Sequence, residues 1–304
     1  NEVILKDKAA AYYSFNKGSS KQNFPVSLMG SVALLRQTYM DAAWYKDAKP
    51  FTDLALDSWL AQQSLPQIIE GNDKLSVLLA DNIGDEFGVQ YIIKGGGDEY
   101  QRINEIKATK ASLIIPVNFP KAYDVDDPIE ALDVSLADMK NWELAPTNAG
   151  VLASNNIQFA LTTADLKSKS DFIKNLRTAI ENNLTEAKAL EALTMTPAKL
   201  LKVDDKLGSI QKNKIANFLI TSGNLFDEKT KIYENWIQGN QFVVAKEDVE
   251  IKTGKYDFNL GSDSFKLEIS GESGKYDFNI VVNDSTKVKM KQKIVDETIS
   301  ISYT

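Results

Sequence analysis

The 304-residue sequence contains neither cysteine nor histidine. Without cysteine there is no disulfide, no thiolate nucleophile and no zinc–thiolate site. The redox compartment stays open, because such a chain suits an oxidising periplasm and the cytosol alike. Without histidine there is no Ser-His-Asp triad, no imidazole general base and no imidazole metal ligand. A metal site built from this chain alone would consist of carboxylates and carbonyls, donors that suit calcium or magnesium better than zinc. An excess of positive charge is also missing: 42 acidic against 35 basic residues leave a net charge of −7. That balance argues against a nucleic-acid partner or an anionic membrane surface. No apolar run approaches the roughly 20 residues of a membrane span. Asn1 to Lys8 have no basic segment followed by an apolar core, as a signal peptide would, and no initiator methionine. The chain is therefore expected to be cut from something longer.

What is present is ordinary for a globular protein, with 43% hydrophobic and 25% charged residues, enough for one large domain with additions or for two domains. Ser27 to Lys46 reads as an amphipathic helix, with Leu28, Val32, Leu35, Tyr39 and Ala42 at helical spacing and Ser27 as N-cap. Pro50 ends that unit, and a second helix covers Leu54 to Gln62. Short apolar runs then alternate with helical stretches. Leu75–Ala80 (LSVLLA), Tyr91–Ile93, Ser112–Val117 (SLIIPV) and Phe159–Thr162 (FALT) read as buried strands, and Asp98–Ala108 as a helix. Runs without polar alternation suit parallel strands covered on both faces, and strand–helix alternation means βαβ units, in a barrel or a doubly wound sheet. Lys121 to Asp138 is an acidic connection, either functional or an insertion. Helices are expected at Ser170–Asn182, from the N-cap Thr185 through Leu193, and at Ala198–Leu201 after Pro197.

After Asp205 the texture turns to β. Ala216–Thr221 reads as a strand, and Ile232–Gln238 with Gln241–Val244 as a hairpin across Gly239-Asn240. From Val249 the strands are short and separated by Gly, Asn, Asp and Ser. Gly254–Asn259 (GKYDFN) recurs at Gly274–Asn279, an internal repeat of a two-strand unit. Lys287, Lys289, Lys291 and Lys293 fall on one face of a single strand, which reads as a solvated edge protected from pairing, or as a polyanion site.

Lys94-Gly95-Gly96-Gly97 stands at a strand-to-helix turn. Backbone amides in such a turn can cradle a phosphate, though a tight βα turn accounts for three glycines equally well. Asp98, Glu99, Arg102, Thr162 and Thr163 lie at similar strand ends and are candidates to line a pocket. Trp142 and Trp236 read as packing residues, not ligand platforms.

Three segments, in order, carry a family resemblance. Phe159–Asp165 (FALTTAD) closes a strand; Thr185–Leu201 (TEAKALEALTMTPAKLL) follows a helix; Val203–Ile220 (VDDKLGSIQKNKIANFLI) leads to Lys231–Phe242 (KIYENWIQGNQF). This succession is similar to the C-terminal region of imidazolonepropionase-like amidohydrolases. Thr194, Pro197, Ala198 and Leu201 fit that family's T-x-x-P-A-x-x-L phrase. Gly208, Ser209, Ile210, Lys214 and Ala216 fit its G-S-I-x-x-G-K-x-A-D phrase, with Asn213 and Asn217 as departures, and Gly239 fits the closing strand pair. The match covers about residues 20 to 245.

The resemblance implies an α/β fold: an incomplete (β/α)-barrel of amidohydrolase, TIM-like type over 1–205, a small composite β-sandwich portion over 206–246, and a C-terminal β module over 247–304. It implies a family that activates water on zinc or another divalent metal held by strand-end histidines, sometimes a Lys or Glu, and a last-strand Asp. Lys94 stands where the family often has a strand-end His, either as an anion-binding or pseudo-ligand group or as a plain surface lysine. The family Asp is expected near Ala164, so Asp165 is the candidate catalytic carboxylate, against a loop-capping role. Lys94, Gly95, Gly96, Gly97, Thr162 and Thr163 would line the pocket at the C-terminal face of the barrel.

Three readings of function follow. The first is a catalytically silent barrel module, a pseudoenzyme with no cofactor of its own, serving a structural or docking role beside another amidohydrolase module of the same longer protein. The second is a metal-dependent hydrolase of C–N bonds in cyclic amides, completed by upstream residues. The third is a carbohydrate- or peptide-binding module in the tail, motivated by Tyr256, Phe258, Tyr276 and Phe278. Resemblance to exported bacterial relatives implies a periplasmic location, with the cytoplasm as the alternative.

Overall fold

The computed structural model describes residues 4–49, 51–246, 251–260, 263–272, 275–283, 286–295 and 298–302. Pro50, Val249 and Gly274, together with Asn1 to Val3, lie outside the described residues. The chain divides into two units, one of Asn1–Phe218 with Phe226–Lys229, the other of Leu219–Leu225 with Thr230–Thr304.

The first unit begins with β1 (Ala11–Ser14), α1 (Leu28–Ala48), α2 (Leu54–Gln62), β2 (Gln67–Glu70) and α3 (Lys74–Phe87). It continues through β3 (Ile92–Lys94), a 3₁₀ turn at Glu99–Arg102, α4 (Ile103–Ala108) and β4 (Ser112–Pro116). Next come α5 (Pro128–Leu132), α6 (Leu136–Leu144), α7 (Asn148–Ser154), β5 (Phe159–Thr162), α8 (Asp171–Glu181), α9 (Glu186–Leu193) and α10 (Met195–Leu200). The strands form one sheet in the order β1-β2-β3-β4-β5, and each neighbouring pair is parallel. Strict sequential order means that every crossover steps the same way, so right-handed connections place the helices on one face. A doubly wound sheet would reverse its order part-way. This is the α/β, barrel-type arrangement, here with five parallel strands.

Period-two alternation sorts the side chains. Tyr13, Ile69, Ile93, Leu113 and Phe159 lie in register across the sheet, and all but the partly buried Tyr13 belong to the core. Val77, Ala80 and Ile83 of α3, Leu152 of α7, and Leu176 and Ala179 of α8 are fully buried with them. The adjacent row, Ser14, Glu70, Lys94, Ile114 and Ala160, points to the opposite face.

Helix starts follow the capping chemistry in the sequence. The Ser27 side chain accepts from the Gly30 amide at 3.2 Å, and Thr185 caps α9 through Lys188. Asp73 accepts from the Leu75 and Ser76 amides at 2.9 and 2.8 Å, which starts a helix where a strand was expected. Leu75–Ala80 is therefore the beginning of α3, not a buried strand: Val77, Ala80 and Ile83 recur at helical spacing, while Leu75 is 61% exposed. Gly88, in the left-handed region at φ 66°, ends that helix. The acidic connection expected over Lys121 to Asp138 instead contains α5 and the start of α6, capped by Asp127 and Ser135.

In the second unit, β6 (Phe218–Thr221), β7 (Ile232–Ile237) and β8 (Asn240–Val243) form one sheet, β6 beginning at the boundary residue. The β7–β8 turn is Gln238-Gly239, both at positive φ, rather than Gly239-Asn240, because Ile237 pairs with Asn240. Then β9 (Gly254–Leu260), β10 (Asp263–Glu272), β11 (Lys275–Asn283) and β12 (Thr286–Lys289) form an antiparallel meander, followed by the hairpin β13 (Lys291–Val295)–β14 (Thr298–Ser302). The repeated segments are β9 and β11, flanking β10 on its two sides. Tyr276 and Phe278 are buried with Leu267, Ile269 and Met290, and Phe258 packs against them. The four lysines do not share one strand. Lys287 and Lys289 belong to β12, buried Met290 breaks the run, and Lys291 and Lys293 belong to β13. Lys287 pairs with Glu268 at 2.5 Å and Lys289 with Asp277 at 2.6 Å.

Candidate site at the strand ends

The polar row at the C-terminal ends of the first unit's strands closes into a network. Lys94 is the last residue of β3 and is 93% buried, being 7% exposed. Its Nζ donates to Asp165 Oδ2 at 2.7 Å and to Glu70 Oε1 at 3.3 Å. The other Glu70 oxygen accepts from Ser14 Oγ at 2.9 Å. Burial works against the lysine's charge, but the hydrogen bonds and charges of Asp165 and Glu70 outweigh it and hold its pKa above the ordinary value. Tyr12, exposed on β1, feels the same group: its phenol is pushed up first by burial, then by Glu70 and Asp165, with Lys94 opposing.

Asp165 reaches Lys94 from the loop after β5, where its backbone is left-handed at φ 65°. Aspartate tolerates that conformation better than most residues. Thr162 Oγ1 accepts from the Ala164 amide at 3.1 Å, and the Leu166 amide reaches the Thr163 carbonyl, so this tight loop aims the carboxylate back across the sheet. Thr162 and Thr163 thus shape the loop that carries Asp165.

The glycines after Lys94 form a second feature. The Gly95 amide donates to the Ile114 carbonyl and the Gly97 amide to Glu99 Oε1 at 3.1 Å, so two of the three amides are already engaged and the turn is no open phosphate cradle. A Cβ on Gly96 would lie 2.2 Å from the Asn72 carbonyl oxygen, so the backbone there needs glycine, and one on Gly95 would lie 2.0 Å from Glu99 Oε1 and displace that carboxylate. Glu99 is fully buried. Its second oxygen accepts from Asn148 Nδ2 at 2.6 Å, and Asn148 Oδ1 accepts from the Tyr100 amide at 2.8 Å. Burial raises the Glu99 pKa against those hydrogen bonds. Asp98 is held by the Lys74 amide at 2.8 Å and the Lys74 ammonium at 3.0 Å. Gly96, Gly97 and Asp98 line a cavity of about 200 Å³ with Asn118, Phe119, Pro120, Asn141 and Ala145. Arg102 pairs with Glu105 on the surface and is no part of this wall.

The mouth donors do not fit a dication. Two carboxylates and a hydroxyl face one another, but the space between them is filled by an ammonium that would repel a second cation at contact distance. Among the described residues, no group of three or more carboxylates is placed to hold a metal.

The two sequence phrases of the C-terminal barrel region pack on each other. A Cβ on Gly208 (φ 90°) would meet Ala198 Cβ at 2.9 Å, Met195 Sδ at 3.1 Å and the Thr194 carbonyl at 3.1 Å. Lys214 Nζ donates to Ser209 Oγ at 2.8 Å and to the Leu207 carbonyl at 3.3 Å. The spacing of T-x-x-P-A and G-S-I is therefore the spacing of one turn docked under α10.

Comparison with known proteins agrees. Residues 133–255 match the model of the Amidohydrolase family. An amidohydrolase from Thermotoga maritima MSB8 shares 22% identity over 79% of this chain and 64% of its own, with a TM-score of 0.62. A Xaa-Pro dipeptidase solved with methionine in its active site shares 16% identity over 78% of this chain and 55% of its own, with a TM-score of 0.47. The chain therefore spans less than two thirds of the length of these relatives. No curated protein matches. The findings thus give a match to the Amidohydrolase family model over 133–255 and an α/β barrel-type fold shared with the Thermotoga maritima amidohydrolase.

Proposed function

We propose that this chain is a catalytically silent barrel portion of a larger amidohydrolase-like protein, with a structural or docking role beside another amidohydrolase module. One observation carries the reading: the ammonium of Lys94 donates to both Glu70 and Asp165, on the strand end where the family resemblance expects a metal-ligand histidine. A lysine whose pKa is held up is neither a nucleophile nor a base at neutral pH. The Asp165 carboxylate is engaged by that ammonium at 2.7 Å. An exported, periplasmic location belongs to the same proposal.

Turnover tests it. The chain, purified and supplied in turn with zinc, manganese and cobalt, is expected to hydrolyse neither cyclic amides nor Xaa-Pro dipeptides above the rate of the metal salt alone. Metal-dependent hydrolysis that disappears in Asp165→Asn would overturn the reading.

A further inference from the structure

The strand-end network disagrees with the metal chemistry of the family it resembles, and the disagreement is specific. Four polar groups converge from separate elements: Ser14 from β1, Glu70 from β2, Lys94 from β3 and Asp165 from the loop after β5. Three bring oxygen. The fourth brings a positive charge, and it sits among the others, donating to both carboxylates while its stem is buried. Trimmed of its lysine, the row would be a negative pocket of hard oxygen donors, the kind magnesium, calcium or manganese favours.

We infer that the Lys94 ammonium is an internal cation that takes the place of a metal ion at the strand ends, neutralising Glu70 and Asp165 and excluding dications from the mouth. The backbone supports a dedicated role. Asp165 keeps a left-handed conformation, and its loop is tied by Thr162, which together point the carboxylate at Nζ. Ser14 satisfies the Glu70 oxygen that the lysine does not reach. An ammonium on a side chain needs no metal supply, cannot be chelated away and activates no water. The arrangement thus preserves the electrostatics of a metal-centred barrel mouth while discarding its reactivity. This inference rests on the silent-barrel reading and deepens it by naming what replaced the metal.

The test is manganese binding by the whole chain, followed by calorimetry and by the electron paramagnetic resonance of bound Mn²⁺. The wild type is expected to bind no Mn²⁺ at millimolar concentration through Asp165. Lys94→Ala is expected to gain one site at least tenfold tighter than any in the wild type, and Asp165→Asn in that background is expected to remove it. Lys94→Arg, which keeps the charge, should gain nothing. If Lys94→Ala does not fold, Lys94→Gln carries the same comparison with a neutral side chain of similar length. Two results would overturn the inference: a wild-type Mn²⁺ site lost on Asp165→Asn, or a folded neutral variant at position 94 that gains no site. Neither result depends on turnover, so hydrolysis by the wild type would sink the silent reading separately.

Discussion

Replacing Glu99 by glutamine probes the brace behind the glycine turn. The carboxylate is fully buried and accepts from two donors, the Gly97 amide at 3.1 Å and Asn148 Nδ2 at 2.6 Å. Glutamine keeps the shape but turns one acceptor into a donor, which then faces one of those donors. Asn148 cannot rotate its amide to help, because its Oδ1 already accepts from the Tyr100 amide. Relative to the protonated acid, whose hydroxyl oxygen can still accept, one hydrogen bond is lost and one buried donor is stranded, which costs about 1–3 kcal/mol. Against this, glutamine removes a buried charge. The sign of that relief follows from the raised Glu99 pKa, whose first cause is burial. Well below the ordinary glutamate value of 4.5 both folded and unfolded chains are protonated there, and the group contributes nothing. As pH rises past 4.5 the unfolded chain ionises first, so the wild type loses stability until the folded group ionises too. Glu99→Gln lacks that loss. In urea denaturation the variant should therefore be less stable than the wild type, with the gap widest near pH 4 and narrowing toward pH 8. A variant as stable as the wild type at both pH values, with parallel curves, would refute both the brace and the burial strain.

Two further perturbations separate other parts of the argument. Asp81 in α3 has its carboxyl pushed up to about 6 by burial and then by Asp85, so the folded state is penalised as pH rises through the window from 3.8 to about 6. Asp81→Asn should raise the melting temperature at pH 7.5 and leave it unchanged at pH 3.5 in a calorimetric scan. Gly208→Ala forces a side chain into a left-handed turn packed on Ala198 and Met195, and should lower the unfolding free energy from urea denaturation by about 1–3 kcal/mol while leaving the far-ultraviolet spectrum native.

Long, capped helices were readable from the sequence because cap and periodicity agree. Leu54–Gln62 has Asp53 accepting from the Ala55 and Leu56 amides, and the Ser27 and Thr185 caps stand where their side chains announce them. The LSVLLA run failed because six apolar residues fit a buried strand and a helix start equally well. What decides is Asp73, two residues upstream of the run, whose side chain satisfies the free amides of the first turn. β1 and β2 were missed for the opposite reason. AYYS and QIIE are four residues each, too short for a period to show, and they are strands because their neighbours complete the parallel ladder.

The same failure hid half of the candidate site. Lys94 and Asp165 could be named singly, each at the end of a recognisable strand, but their 2.7 Å contact joins positions 71 residues apart and depends on register. Glu70 and Ser14 were invisible because their strands were. Once the order β1-β2-β3 and its register are given, the row Ser14, Glu70, Lys94 follows from the two-residue period alone, and two polar groups flanking a buried lysine leave little choice of partners. Lys94 closes the apolar pair Ile92-Ile93 just before a glycine, and Glu70 stands in the same way after Ile68-Ile69 and before Gly71. A charged residue closing an apolar run ahead of a glycine is the mark of a strand tip, and reading it as such would have supplied both the missing strand and the missing carboxylate.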